Sequence, residues 1–306
     1  MDILEHDIVL QSNKLRVQID LANGAKIRSL VSLRTGKEFF YQDSRRSFDG
    51  SRGYSYHDIG GMDECFPSVA ACRGQTNTGT VYDYPDHGYL WQTPWKVVTS
   101  EPHLTLSCFM PALNCTFSRQ CRFETDETLL LNYRITNQGR AGIPFVYSAH
   151  PLLAADKHTQ VQFPDSARRA FVAGQTAAPW IELPGPRPEL ITGPFSLHRH
   201  TAIKLYTESL TTGDAVVTYP DSDERLRIAF DTEKLPHLGY LSCQGNDNLG
   251  DGHFIGECLL AFEPTSGIGD DLDTTIQTGT LKVLAPGDTY SFWIRMTVEA
   301  ASEGQP

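Results

Sequence analysis

Two short stretches of the chain each lead to a proton-handling side chain that is followed by a proline. Residues 143–151 read I-P-F-V-Y-S-A-H-P and lead to His150, and residues 258–264 read C-L-L-A-F-E-P and lead to Glu263. Imidazole and carboxylate groups are common donors and acceptors of protons in general acid–base catalysis. The two stretches therefore predict an acid–base pair whose members lie far apart in the sequence.

Both stretches are rich in strand-forming residues. Side chains alternate between the faces of a strand, so His150 is expected to point away from Ala149, and Glu263 away from Phe262. Proline cannot donate to a ladder, and we expect each strand to end at the proline. His150 could instead be a core histidine bonded to a neighbour, and Glu263 could cap a loop or pair with an arginine. A buried carboxylate without a partner or a function is costly.

A third candidate stretch lies at residues 84–95, Y-P-D-H-G-Y-L-W-Q-T-P-W. If this stretch is extended, His87, Tyr89 and Trp91 share a face and bring an imidazole and two aromatic rings together. Flat rings beside polar groups suit the C–H faces and hydroxyl edges of a sugar, and Gly88 allows a close approach of the backbone. The alternative is aromatic core packing, which we favour for Trp95.

Composition excludes several classes of protein. The 306 residues carry a net charge of −11, which repels nucleic acids and anionic membrane surfaces. Apolar runs are far shorter than the roughly 20 residues of a membrane helix, and the first residues do not resemble a secretory signal. The seven cysteines are an odd number without C-x-x-C spacing, which favours buried thiols over disulfides or structural zinc. We expect a cytoplasmic protein.

The apolar pattern has a period of two over most of the chain. Alternation from Leu15 to Leu21, followed by Asn23-Gly24, predicts an opening β-hairpin, and similar strands recur up to residue 298. The segment from Pro179 to Pro194 is expected to be irregular, and Asp270 is expected in a solvated turn. No long amphipathic helix or internal repeat is found. These patterns predict an all-β protein, a large antiparallel β-sandwich forming a single domain over residues 1–306 with its core at about 10–299.

The ordered set of motifs resembles the aldose 1-epimerase (galactose mutarotase-like) family. Four stretches carry the resemblance: L-A-N-G-A-K-I-R-S-L at 21–30, D-H-G-Y at 86–89 with a Trp downstream, S-A-H-P at 148–151 and A-F-E-P at 261–264. The resemblance runs in the same order from about Leu15 to Val298. It implies an antiparallel β-supersandwich with a sugar cleft on one sheet.

The resemblance also implies roles for individual residues. His150 would protonate the ring oxygen of an aldose, and Glu263 would take the proton of the anomeric hydroxyl. His87 would bind the sugar and help to polarise its ring oxygen, with Asp86 and Trp91 beside it. The G-G-x-x-x-x-F-P stretch at 60–67 makes Glu64 a candidate acceptor for a sugar hydroxyl, or alternatively part of a capped turn. The reaction moves only protons, so neither a metal nor an organic cofactor is implied.

The motifs do not select one sugar as the substrate. The D-H-G-Y stretch is similar to the hexose-6-phosphate branch of the family, but Leu90 and Trp91 stand where that branch usually has an arginine. Nearby arginines could replace it as a phosphate anchor: Arg45, Arg46, Arg52 and Arg73. A catalytically silent sugar-binding protein and a glycoside hydrolase are the competing functions, although a hydrolase normally needs two carboxylates. The expected partner is a small sugar, not nucleic acid or membrane, and the expected assembly is a monomer or homodimer.

Overall fold

The structure is a computed structural model that describes residues 2–4, 7–43, 51, 53–54, 58–76, 78–175, 179–185, 190–245 and 258–304. It is built from two large antiparallel sheets, which confirms the predicted all-β fold. The first sheet has eleven strands in the order β1-β2-β3-β4-β5-β13-β21-β20-β17-β15-β16. The second has eight, in the order β14-β18-β19-β23-β11-β10-β9-β8. In the part of the chain described, no helix is long and apolar enough to cross a membrane.

The strands of the eleven-stranded sheet are β1 Asp2–Leu4, β2 Asp7–Gln11, β3 Leu15–Asp20, β4 Lys26–Ser32, β5 Met62–Cys65, β13 Ser148–Ala154, β15 Arg169–Val172, β16 Trp180–Glu182, β17 Thr201–Thr207, β20 His237–Gln244 and β21 Cys258–Thr265. Those of the eight-stranded sheet are β8 Lys96–Thr99, β9 Leu104–Met110, β10 Cys115–Thr125, β11 Thr128–Asn137, β14 Gln160–Gln162, β18 Asp214–Tyr219, β19 Glu224–Phe230 and β23 Thr289–Ala300. Two small ribbons pair β6 Cys72–Gln75 with β7 Val81–Tyr84, and β12 Ile143–Phe145 with β22 Lys282–Leu284. One short α-helix, α1, spans Leu272–Gln277.

Most predicted strands are confirmed. The opening hairpin is β3 and β4, and β21 is buried on both faces, as its continuous apolar run indicates. The segment from Pro179 to Pro194 is not wholly irregular, because it contains β16, which pairs with the preceding strand β15. Alternate side chains of both large sheets form one apolar cluster between them, which includes Phe117 from β10 and Phe262 from β21.

The two strands that carry His150 and Glu263 do not end at their prolines. Instead, β13 continues through Pro151 to Ala154, and β21 continues through Pro264 to Thr265. The β13–β21 ladder pairs Ser148 with Thr265 and then resumes at Leu152 and Ala261. The prolines lie in the skipped interval, where each would otherwise contribute an N–H group. The prediction of strand ends is therefore wrong, and the prolines interrupt one ladder instead.

Glu64 is part of the core between the sheets, so its predicted role as a sugar-hydroxyl acceptor is corrected. In β5 its side chain points to the eight-stranded sheet, where its Oε1 accepts from Arg119 Nη1 at 2.9 Å and from the Tyr133 hydroxyl at 2.8 Å. Its Oε2 accepts from the Tyr147 hydroxyl at 2.6 Å. Arg119 is fully buried, and its guanidinium also donates to the carbonyl of Ala25. A buried arginine and two phenols thus account for the buried carboxylate.

This network predicts a large loss of stability for Glu64→Gln. The substitution keeps the volume of the side chain but leaves the Arg119 charge buried without its counterion, and breaking a buried pair typically costs about 3–5 kcal/mol. We expect urea denaturation to show a free energy of unfolding lower by roughly 3 kcal/mol. Glu233→Gln, at a side chain that is 84% exposed, is the matched control and should change it by less than about 0.5 kcal/mol. Equal stability of Glu64→Gln and wild type would contradict the assignment.

Candidate functional site

His150 and Glu263 are cross-strand neighbours. The residue pairs between β13 and β21 share one register, and that register places residue 150 opposite residue 263. His150 Nε2 lies 3.7 Å from Glu263 Oε1. The sequence-based prediction that these distant residues meet on one face is thus matched by their positions. They lie side by side on adjacent strands.

The same row of the sheet contains further polar residues. Reading across β4, β5, β13, β21, β20 and β17, the residues in register are Lys26, Asp63, His150, Glu263, Gly239 and Tyr206. We call this set the site row. Its side chains lie on the face of the sheet opposite the inter-sheet core, where Leu259 and Ala261 also point. Six consecutive strands of the sheet therefore contribute residues to the site row through their registers alone.

Asp63 and Tyr54 hold the imidazole of His150. The Tyr54 hydroxyl lies 3.1 Å from Asp63 Oδ2 and 3.2 Å from His150 Nδ1. An ionised carboxylate can only accept, so Tyr54 donates to Asp63 and its oxygen accepts from Nδ1–H of His150. Lys26 Nζ, 3.1 Å from Asp63 Oδ2, supplies the counterion. Nε2 of His150 is consequently the nitrogen that faces Glu263.

Glu263 is fully buried, and its two oxygens differ. Oε2 accepts from Lys204 Nζ at 2.5 Å, whereas Oε1 has no hydrogen-bond partner among the residues that the structure describes. Burial raises the pKa of Glu263, and the ammonium group of Lys204 opposes that rise. The partner of the carboxylate is therefore a lysine, not the arginine considered from the sequence. An ionised carboxylate with one unsatisfied oxygen beside an imidazole can accept a proton from a bound molecule.

The stretch that carries His87 is a turn and not an extended strand, so the predicted common face of His87, Tyr89 and Trp91 is wrong. His87 has a φ of 56° and Gly88 a φ of 68°. A Cβ at Gly88 would lie 2.0 Å from the carbonyl oxygen of Phe66, so only glycine allows this approach. The turn brings the ring of His87 to a centroid distance of 5.2 Å from that of His150.

The remaining candidates on this turn lie close to His87. Asp86 Oδ1 is 3.1 Å from His87 Nδ1, and the Asp86 side chain is 45% exposed. Trp91 is only 3% exposed, and its Nε1 donates to the backbone carbonyl of Asp86 at 3.3 Å. Its ring meets the edge of Tyr54, which in turn stacks on His87 with centroids 3.4 Å apart. Trp91 therefore packs behind the stacked rings of Tyr54 and His87, and little of its own ring is exposed to a ligand.

Several residues of the site were not identified from the sequence: Lys26, Tyr54, Asp63, Lys204, Tyr206 and Asp270. Asp270 is not simply solvated, because its carboxylate accepts from the Tyr206 hydroxyl and lies 3.6 Å from Lys204 Nζ. The signal for Lys204 was a lysine within the apolar pattern of β17, where 201–207 reads T-A-I-K-L-Y-T.

Of the arginines considered as phosphate anchors, Arg73 pairs with Asp83 across the β6–β7 ribbon and is 78% exposed. Arg45, Arg46 and Arg52 lie outside the described residues.

One group of side chains has the composition of a metal site. Cys65, His87 and His150 each place a potential ligand atom within 4.8 Å of the others. Zinc bonds of about 2.0–2.3 Å bring tetrahedral ligands to roughly 3.5 Å from one another. Burial also raises the pKa of the Cys65 thiol well above its usual range, which disfavours the thiolate that a metal requires. In the observed arrangement these three side chains do not form a zinc site.

Comparison of the structure with solved structures finds close similarity of fold. A putative aldose 1-epimerase from Escherichia coli K12 matches with a TM-score of 0.71 at 19% identity, covering 96% of this chain and 99% of that one. A galactose mutarotase-like protein from Clostridium acetobutylicum matches with a TM-score of 0.73 at 13% identity, covering 98% and 97%. A galactose mutarotase related enzyme from Lactobacillus acidophilus matches with a TM-score of 0.70 at 16% identity, covering 96% and 98%.

Comparisons of sequence add nothing to this result. No family model matches the chain, and no curated protein matches it. The structural matches span nearly the whole length of both partners, so they concern the entire fold and not one sheet. The chain has the galactose mutarotase-like fold, as its motifs predicted.

Proposed function

We propose that this protein is an aldose 1-epimerase that interconverts the α and β anomers of a hexose. The observation that carries the proposal is the pairing of His150 with the unsatisfied oxygen of Glu263, 3.7 Å from Nε2. The ring oxygen and the anomeric hydroxyl of an aldose are bonded to the same carbon. An acid and a base for these two oxygens must therefore be neighbours, as they are here.

The reaction follows from this placement. Protonated Nε2 of His150 gives its proton to the ring oxygen, while Oε1 of Glu263 takes the proton of the anomeric hydroxyl. The bond between the anomeric carbon and the ring oxygen breaks, and an open-chain aldehyde forms. After rotation about the neighbouring carbon–carbon bond, the two groups exchange roles and the ring closes on the other face. Each proton is returned, and positioned acid–base catalysis of this kind is typically worth ~10²–10⁴-fold.

Binding of the sugar is assigned to the turn around His87. The carboxylate of Asp86 is 45% exposed and can accept from sugar hydroxyls, and the imidazole of His87 lies beside that of His150, with ring centroids 5.2 Å apart. Trp91 stabilises this turn, because its Nε1 donates to the carbonyl of Asp86 and its ring packs against Tyr54. Glu263 is fully buried and His150 is 5% exposed, so a sugar reaches them only when a covering side chain moves. Tyr54 contacts both histidine rings and is one such side chain.

The charges around the site favour an unphosphorylated sugar. The described site contains four carboxylates, from Asp63, Asp86, Glu263 and Asp270, and two ammonium groups, from Lys26 and Lys204. Both ammonium groups are already paired with carboxylates. A phosphate would meet a net negative environment at close range, which is unfavourable.

Substitution of either catalytic group is expected to abolish most of the activity. In Glu263→Gln the base is lost, and in His150→Asn the acid is lost, while the shapes are nearly kept. We expect polarimetry of freshly dissolved α-glucose and α-galactose to show turnover of the preferred sugar at least ~100-fold lower in each variant. His158→Asn, at a histidine that is 47% exposed, should retain full activity.

Two outcomes would contradict the mechanism. Full activity in Glu263→Gln or His150→Asn, with both variants folded by circular dichroism, would remove the proposed roles. Sugar binding by wild type with no rate enhancement on any aldose would favour a silent carbohydrate-binding protein on the same fold.

The excess of carboxylates over ammonium groups in the described site predicts a preference for an unphosphorylated sugar. We expect kcat/KM of wild type to be at least ~10-fold lower for glucose 6-phosphate than for glucose, because like charges repel within the site. The measurement is polarimetry of both α-anomers at the same ionic strength. A preference for the phosphorylated sugar would assign the protein to hexose-6-phosphate 1-epimerase activity and would implicate cations other than the paired Lys26 and Lys204.

A further inference from the structure

Lys204 reaches Glu263 across an intervening strand. It lies on β17, and β20 separates β17 from β21, the strand of Glu263. The residue of β20 directly opposite Glu263 is Gly239, which is also opposite Tyr206. A Cβ at Gly239 would lie 3.1 Å from both Cβ and Oε2 of Glu263. The missing side chain therefore leaves the space that the ammonium group and the carboxylate share.

Lys204 contacts only one of the two oxygens of the Glu263 carboxylate, Oε2. Nζ lies 2.5 Å from Oε2 of Glu263 and 3.6 Å from Oδ1 of Asp270. Asp270 is held in turn by the Tyr206 hydroxyl. The Lys204 side chain is 6% exposed, so the ion pair is poorly screened by solvent. Oε1 of Glu263 is consequently left as the only oxygen of that carboxylate directed towards His150.

We propose that Lys204 is the positioning residue of the site: it keeps Glu263 ionised and fixes which of its oxygens accepts the proton. This inference rests on the proposed aldose 1-epimerase function. Without Lys204, a fully buried carboxylate would favour the neutral form, which has no capacity to accept a proton at Oε1. The carboxylate would also be free to rotate.

Other titratable groups besides Lys204 also act on Glu263. Among the described residues they include Cys65 on β5, His150 on β13, Tyr206 on β17, His87 on its turn and Asp270 after β21, whereas β20 has Gly239 opposite Glu263. The Asp270 charge raises the pKa of Glu263, whereas the charges of Lys204 and His87 lower it, and Lys204 has the larger effect of the two. Removal of Lys204 therefore raises the pKa of Glu263 further. The acidic limb of the pH–rate profile then moves to higher pH.

The test compares Lys204→Met with Lys204→Arg. For Lys204→Met we expect kcat at pH 7 to fall at least ~10-fold, KM to change less than about twofold, and much of the loss to be recovered as the pH is raised. Lys204→Arg keeps the charge, and its acidic limb should stay close to that of wild type. Lys234→Met, at a surface lysine paired with Glu233, is the control and should not move the profile.

A second readout does not depend on activity. The protonation of Glu263 can be followed by ¹³C NMR of glutamate side-chain carboxyl groups, with Glu263→Gln used to assign the signal. We expect the midpoint of this titration to be higher in Lys204→Met than in wild type and Lys204→Arg. Equal midpoints in all three proteins, or equal shifts in both variants, would overturn the role of Lys204. An inactive wild type with the predicted NMR shift would instead refute the proposed function and leave the ion pair intact.

Discussion

The register between β13 and β21 is the constraint on which the site depends. It places His150 directly opposite Glu263, and the neighbouring registers bring Asp63 and Gly239 into the same row. A shift of β13 by one residue would exchange the faces of Ala149 and His150. The imidazole would then point into the inter-sheet core. The prolines at 151 and 264 remove N–H groups from this part of the ladder without ending either strand. The sheet thus remains continuous where its ladder is interrupted.

Burying the charged side chains of the site row costs free energy. The structure offsets that cost by pairing carboxylates with ammonium groups. Asp63 is paired with Lys26, and Glu263 with Lys204, so each buried carboxylate of the site row has its own ammonium group. Among the described residues of the site row, one oxygen of each carboxylate has no hydrogen-bond partner: Oδ1 of Asp63 and Oε1 of Glu263. Oε1 of Glu263 lies 3.7 Å from Nε2 of His150. Buried polar atoms without a partner are rare, and such an atom beside an imidazole is where a ligand group would complete the hydrogen bonding.

The sequence was sufficient for the fold and for the central pair. Period-two alternation predicted the sandwich, and the same rule placed Glu263 on the face away from Phe262, as observed. It was not sufficient for Asp63 and Glu64, because two adjacent acids in one strand point to opposite faces and the motif does not say which faces the site. Tyr54 comes from a loop without periodicity. Lys204 is two strands away from Glu263, and only the sheet order, with Gly239 between them, brings the two together.

Glu64 and Glu263 show why burial alone does not identify a catalytic carboxylate. Both are essentially inaccessible to solvent, and burial raises the pKa of each. Glu64 accepts hydrogen bonds on both oxygens, from Arg119 and two phenols, so neither oxygen is left without a partner. Glu263 is closed on one oxygen only. The difference lies in the number of donors that the fold directs at each group, and it makes Glu64 a core residue and Glu263 the candidate base.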